Sequence, residues 1–321
     1  MPRRPHIPRV ALLLALSCAC QSQHDQASYE SEVPDVPAAE HDFSLGTHLV
    51  LLGTGTPNAD PDRSGPAVAV VVNGTAYLVD AGVGVVRRAA AAARRGISAL
   101  EPRRLDRVFL THLHSDHTLG LPDLILTPWV LERERPLEAY GAPGLTAMVD
   151  HLLAAYGTDV ARRIEGLQPQ NATGHRVVVH EILPGPVYRD SNVSVTAFGV
   201  LHEEWSEAVG YRFETADRVI VLSGDTRPSE NVIAACDGCD ILVHEVYSDA
   251  GFARHAPEWQ RYHVRAHTSA TELAEVARRA RPKLLVLYHQ LFWGTSEAEL
   301  VAEVKAHWDG DVVSGADLDV Y

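Results

Sequence analysis

Cysteine is scarce in this chain, four in 321 residues, which excludes a disulfide scaffold as the main source of stability. Cys18 and Cys20 sit near the N-terminus; Cys236 and Cys239 form a single Cys-Asp-Gly-Cys, at best half of a structural zinc site. That spacing permits a small disulfide. The favoured reading is simpler: Cys236 ends a helix and Cys239 starts the strand Ile241-Leu242-Val243. Positive charge is also in the minority. Against 42 Asp and Glu stand 28 Lys and Arg, a net charge of −14, which argues against a broad basic face for a polyanion. No apolar run reaches the roughly 20 residues that a membrane-spanning helix needs. The turn Gly53-Thr54-Gly55-Thr56-Pro57 is followed by no Gly-Lys-Ser/Thr and is no dinucleotide fingerprint, which excludes both common nucleotide loops.

What is present begins with a leader. Arg3, Arg4 and Arg9 precede the apolar stretch Val10–Leu16, which is too short to cross a bilayer, and Ser17-Cys18-Ala19-Cys20 follows. Residues 1–20 therefore read as an export signal, either lipidated at Cys18 or Cys20 or simply cleaved. Residues 21–47 read as a flexible tether, and 48–321 as one large α/β domain. The expected location is the periplasm, or the membrane surface as an anchored bacterial lipoprotein.

The domain opens with the strand from about His48 to Leu52, and Asn73-Gly74 joins two more strands as a hairpin. A helix follows over Val85–Arg95, with helical stretches from about Pro122 and over Thr146–Tyr156. Strands are expected at Arg176–Leu183, Val193–Val200, Gly210–Glu214, Arg218–Leu222, Ile241–Val243 and Lys283–Tyr288. A helix over Ser269–Arg281 starts with a cap and an acidic first turn. Two β-rich halves with helices imply two sheets packed face to face with helices outside.

Chemistry is concentrated at residues 112–117. There His112-Leu113-His114-Ser115-Asp116-His117 packs four metal-ligand types directly behind the apolar run Arg107–Leu110. The chain holds 17 histidines, so a lone one means little, but four polar groups crowding one strand end point to a metal corner. A two-metal site needs more ligands, and they should stand just after other apolar runs. His202, Asp225 and His289 each do.

In this order, His112/His114/Asp116/His117, His202, Ser223-Gly224-Asp225-Thr226 and His289 resemble the ligand set of the metallo-β-lactamase-fold hydrolases. The likeness covers roughly residues 48–321 and is nearer to the ribonuclease Z-like branch. That branch's His-Glu-Ala-Thr and His-Ser-Thr motifs have counterparts in His244-Glu245-Val246-Tyr247 and His267-Thr268-Ser269. The resemblance implies a four-layer αββα sandwich. It also implies two Zn²⁺ (Mn²⁺ or Fe²⁺ as alternatives), one on His112, His114 and His202, the other on Asp116, His117 and His289, with Asp225 and a hydroxide bridging. Asp116 would orient that hydroxide. His267 would donate a proton to the leaving group, with Glu245 orienting its ring and raising its pKa.

Ribonuclease Z proteins proper carry a long arm for tRNA between the ligands matching His202 and Asp225, and here only Glu203–Gly224 intervene. With the acidic balance and the leader, this gives an exported hydrolase that cleaves a small anionic phosphodiester or sulfate ester by metal-hydroxide attack, as phosphodiesterases and arylsulfatases of this type do. tRNA is not the expected partner. The membrane is a partner only through the lipid anchor, and a homodimer is left open. The alternatives are a ribonuclease Z-like endoribonuclease and a non-catalytic metal-binding lipoprotein; Glu245 and His267 argue against the latter. Trp129, Trp205, Phe292 and Trp293 lie close in sequence to the metal corners and are expected to line one apolar pocket.

Overall fold

The computed structural model describes residues 42–321; the leader (1–20) and the tether as far as residue 41 lie outside the described residues. The packed fold begins a few residues before His48. Phe43 packs against the core, and Thr47 already belongs to the first strand, where its hydroxyl donates to Asp217.

The first sheet runs in chain order: β1 (Thr47–Gly53), β2 (Ala67–Val72), β3 (Thr75–Val79), β4 (Arg107–Phe109), β5 (Leu137–Gly141) and β6 (Val177–Glu181). The second contains β7 (Gly185–Arg189), β8 (Ser194–Gly199), β9 (Val209–Glu214), β10 (Val219–Leu222), β11 (Ile241–Tyr247), β12 (Leu284–Leu291) and β13 (Val312–Ser314), also neighbours in sequence order. The first half supplies helices α1 (Val85–Arg94), α2 (Ser115–Thr118), α3 (Leu121–Val130), α4 (Leu145–Ala155) and α5 (Gly157–Glu165). The second supplies α6 (Glu230–Cys236), α7 (Asp249–Phe252), α8 (Pro257–Ala266), α9 (Ala270–Ala280) and α10 (Glu297–Lys305).

The strands are apolar on both faces, and the two-residue period divides each between two cores. Leu49, Leu51, Val68 and Val70 face inward with Phe109 and meet Tyr211, Phe213, Val243 and Val286 of the other sheet. Their neighbours Val50, Leu52 and Val71 face outward and pack with Val85, Leu124 and Leu145 of α1, α3 and α4. On the far side Val221, Leu242 and Leu285 pack with Val232, Leu273 and Leu300 of α6, α9 and α10. Three cores separate four layers, the αββα order. At the centre, the Phe109 ring lies 4.8–5.8 Å from the rings of Tyr140, Tyr188, Tyr211 and Phe213.

Three local expectations change. The strand expected over Arg176–Leu183 is present but shorter, and a further strand follows it closely. β6 ends at Glu181, and the chain re-enters at Gly185 as β7 of the opposite sheet. β5 is an additional strand; Leu137-Glu-Ala-Tyr-Gly carries no β-branched residue and no clean alternation, so only its parallel partners β4 and β6 hold it extended. The favoured reading of the Cys-Asp-Gly-Cys is also corrected. Cys236 does end α6, but the left-handed turn at Asp237 and Gly238 brings it back onto Cys239, and the two form a disulfide.

β3 to β6 run parallel to one another, as do β10 to β13. The carboxyl ends of parallel strands gather where crossovers begin, which is where α/β sheets build their sites.

Candidate metal centre

Six of the seven sequence-selected ligands lie beyond the carboxyl end of a strand, β4, β10 or the antiparallel β8. β4 stops at Phe109 and the chain reaches His112 and His114 in extended form before α2 begins at Ser115, so Asp116 and His117 sit on one short helical turn. His202 follows β8, and Asp225 follows β10. Gly224 makes the latter turn possible: its φ is +61°, and a Cβ there would lie 2.9 Å from the Val209 carbonyl and 3.0 Å from Thr111 Cβ.

His289 is aimed differently. It lies inside β12, where Glu245 pairs with Tyr288 and Val246 with Gln290, leaving His289 as an extra residue in the ladder. Its φ of +46° marks the bulge, a strained conformation that turns the imidazole toward the other ligands.

The structure brings all seven together. Nε2 of His112 and Nε2 of His202 lie 2.9 and 3.1 Å from Nδ1 of His114. Nε2 of His289 and Nε2 of His117 lie 3.2 and 3.4 Å from Oδ2 of Asp116. Both are also 3.5 Å from Asp225, one from each carboxylate oxygen, so Asp225 faces the group from between. Six of the seven are at least nine-tenths buried, and His114 is partly covered.

These groups lack other partners. Nε2 of His117 and Oδ1 of Asp225 are buried without a hydrogen bond, although buried polar atoms are nearly always paired. Three imidazole nitrogens meeting at about 3 Å repel unless a proton or cation sits among their lone pairs. Three of the outer ring nitrogens are tied down: His117 Nδ1 to Asp80 at 2.8 Å, His202 Nδ1 to the Ala266 carbonyl at 2.8 Å, and His112 Nδ1 to Thr111 Oγ1 at 3.0 Å. Imidazoles that ligate a metal show this arrangement. The donor set of five imidazoles and two carboxylates fits divalent cations.

The electrostatics agree with a cation-binding group. Burial pushes His112 well below the ordinary histidine value, keeping it neutral and able to ligate. Burial also opposes the ionisation of Asp225, but the imidazoles of His289 and His117 outweigh it and hold this carboxyl well below the usual range.

Glu245 and His267 meet beside this cluster, in an arrangement other than the expected one. Nδ1 of His267 is 3.4 Å from Glu245 Oε1 and 4.0 Å from Asp225, without a hydrogen bond to either. Glu245 instead accepts the backbone amides of Thr226 and Thr268 at 3.2 and 3.0 Å. It thereby fixes the residues next to Asp225 and His267. Glu245 also does not raise the pKa of His267: burial pushes that imidazole down to about 4. Burial and the charge of Asp225 drive the Glu245 carboxyl itself well up, so it offers little negative charge. Ser269, not His267, caps α9, with Glu272 completing a capping box.

Two kinds of residue escaped the sequence reading. Asp80, directly after β3, holds His117 Nδ1 and accepts the Thr111 amide at 2.8 Å and its hydroxyl at 3.0 Å. Its signal was the one used for the ligands, a polar residue at the end of an apolar strand. The second is the wall of a 390 Å³ cavity that opens onto Asp116, Asp225 and His289. Of the four expected aromatics only Trp293 lines it. Trp129 is fully buried on α3 and bonds the Asn171 carbonyl; Trp205 packs 4.8 Å from the His114 ring; Phe292 lies under Arg63. Trp259, Tyr262 and His263 of α8 form the wall instead. Their i, i+3, i+4 spacing marks one helical face.

The beta-lactamase superfamily domain profile matches residues 75–290, a span that contains all seven candidate ligands together with Asp80, Glu245 and His267. The ribonuclease Z of Mycobacterium sp. (strain KMS) is 39% identical over 248 residues, 76% of this chain and 84% of that relative. Among solved structures, the metallo-beta-lactamase fold protein YhfI from Bacillus subtilis matches with a TM-score of 0.65 at 16% identity, covering 86% of this chain and 98% of that one. The short form of human tRNase Z matches at 0.60 and 24% identity, covering 85% and 98%.

Asp80 provides a test of the centre that removes no ligand. Asp80→Asn turns an N–H toward His117 Nδ1 and disfavours the tautomer that leaves Nε2 free. Divalent metal affinity, measured by chelator competition, is expected to fall about 10- to 100-fold with the fold intact; unchanged affinity would refute the assignment.

Proposed function

Because the chain belongs to the beta-lactamase superfamily, in its ribonuclease Z-like branch, we propose that it is a divalent-metal-dependent phosphodiesterase. The observation that carries this reading is the convergence of seven ligating side chains at the floor of a cavity that also contains His267. His112, His114 and His202 would hold one cation and Asp116, His117 and His289 the other, with Asp225 between them. Zinc suits the donor set best, with Mn²⁺ or Fe²⁺ as substitutes. When bound, such a pair neutralises the phosphate charge and brings the pKa of a water to about 7.

The chain's own groups do the rest. Asp116 lines the cavity and is placed to orient the attacking water and take its proton. The water oxygen bonds to phosphorus, the bond from phosphorus to the leaving oxygen breaks, and that oxygen takes up a proton. The products are a phosphomonoester and an alcohol. His267, on the same wall, is placed to hand over the proton, and an anionic phosphate beside it supplies the negative charge that favours its protonated form. Glu245 positions both Asp225 and His267 through the amides it accepts.

The names of the relatives favour RNA as the diester, against the expectation drawn from the short Glu203–Gly224 segment. A small diester is the second reading, favoured by that segment, which is spent on one turn, β9 and β10, and by the modest cavity. Nothing on the cavity wall favours a sulfate ester. Export, finally, is supported by the leader and by the Cys236–Cys239 disulfide, since such bonds persist in oxidising compartments.

The metal-loaded protein is expected to hydrolyse bis(p-nitrophenyl) phosphate at least about 100-fold faster than p-nitrophenyl sulfate, and Asp225→Ala to abolish both metal pairing and turnover. Comparable rates on the two esters would overturn the phosphodiester reading. A precursor tRNA with a 3′ extension, assayed in parallel, tells the RNA reading from the small-diester one. His267→Ala should slow diesters with an alkoxide leaving group by roughly 10²- to 10⁴-fold while sparing nitrophenolate, which leaves without a proton; equal losses exclude the donor role. Cell fractionation with thiol titration checks export: cytosolic protein with Cys236 and Cys239 reduced would sink it.

A further inference from the structure

The cavity beside the metal centre has an asymmetry that bears on the substrate. Its outer wall is aromatic. Trp259 and Tyr262 stand one helical turn apart on α8, and His263 stacks on Trp259 at an interplanar angle of 25°. The Trp293 ring closes the other side, 4.4 Å from both His263 and His255. Among the described residues no Lys or Arg lines this cavity, and the carboxylates there are those of Asp116 and Asp225 at the floor.

Negative charge is thus welcome at one place alone, among the imidazoles and the cations they would hold. A second phosphate in the cavity would meet indole and imidazole faces without a counter-charge. A flat ring would meet stacking partners on two sides. The volume of 390 Å³ lies at the small end of the roughly 300–1,000 Å³ typical of ligand sites, and accommodates one ring with its linker rather than a stretch of strand. Trp259 is 55% exposed, so one face of the wall is open to an incoming group.

We propose that Trp259, Tyr262, His263 and Trp293 form a subsite for one aromatic ring, a nucleobase or an aryl group, attached to the phosphate held at the centre. This rests on the phosphodiesterase reading and adds to it which group the enzyme selects. His267 lines the same cavity, so the ring belongs to the leaving side of the diester. Selectivity then arises from stacking, which tolerates different rings but requires one.

The subsite is tested by binding rather than turnover. Phenyl phosphate, AMP and methyl phosphate carry the same phosphate with an aryl ring, a nucleoside or no ring. Titrated calorimetrically into the metal-loaded protein, phenyl phosphate and AMP should each bind about tenfold or more tightly than methyl phosphate. Trp259→Ala, at an exposed position, should reduce this preference, Trp259→Phe should keep it, and Trp259→Ala combined with Trp293→Ala should abolish it without weakening methyl phosphate. AMP binding tightly while phenyl phosphate does not would assign recognition to ribose and overturn an aromatic subsite. So would equal affinities for all three in the unmodified protein, or a preference that survives in the double variant. If those affinities are equal but bis(p-nitrophenyl) phosphate is still hydrolysed, the subsite alone fails. If neither anion binding nor hydrolysis is seen, the phosphodiesterase reading fails and takes the subsite with it.

Discussion

Five imidazoles and two carboxylates share one small volume at the end of two sheets, and this crowding is the constraint on which the surrounding structure depends. Buried lone pairs that face one another are unfavourable by several kcal/mol unless something cationic lies among them. A site of this kind cannot relax by moving side chains into solvent, because nearly all its members are buried. The fold holds it from behind instead. Asp80 fixes His117 and Thr111, Thr111 reaches His112, the Ala266 carbonyl fixes His202, and Glu245 ties the backbone beside Asp225 to that beside His267. The ties come from just beyond β3 and β4, from the end of α8 and from within β11, so the centre also fastens the two halves of the fold together.

That arrangement explains what could be read from residues alone. A polar side chain just after an apolar run is a local signal, and together with the dense motif at His112–His117 it pointed to seven candidate ligands that the fold gathers into one cluster. Even His289 carried it, because β12 is apolar up to Tyr288. The bulge that aims His289 carried none, since an extra residue in a ladder exists only relative to the partner strand, here β11. Asp80 carried the same signal as the ligands and was passed over because Asp80-Ala-Gly also reads as a turn.

The remaining differences arise where tertiary context overrides local pattern. β5 has no strand composition of its own and is extended because β4 and β6 flank it. Pro184-Gly185-Pro186 marks a break after β6, but nothing local says that the strand resuming there, β7, belongs to the opposite sheet. The disulfide depends on left-handed backbone at Asp237 and Gly238, which Asp-Gly allows but does not require. The aromatic wall lay in plain sight as a helical face on α8. Proximity in sequence to the metal corners points to Trp129 and Trp205 instead, of which the fold bonds the first to the loop carbonyl of Asn171 and packs the second against a ligand ring.

The two sides of the centre are unlike, and that bears on how an acidic protein handles an anion. With a net charge of −14, the protein's long-range field opposes an approaching phosphate, so recognition has to come from short range. On one side of Asp116 lies the aromatic cavity; on the other a wider space of 610 Å³ is bordered by the loop Thr56–Gly65, where Asp60 adds more negative charge and Arg63 is engaged by Thr54, Gln290 and Glu297. Screening at physiological salt confines the surface field to about 8 Å, while cations held by the imidazoles at the floor would act over contact distances and be screened far less. An anion with one charge and one ring therefore meets attraction at the floor and stacking at the wall. One carrying additional phosphates meets the same attraction once and the acidic surroundings several times. On the small-diester reading proposed above, this distribution of charge would disfavour polyanions on local grounds, independently of the length of the Glu203–Gly224 segment.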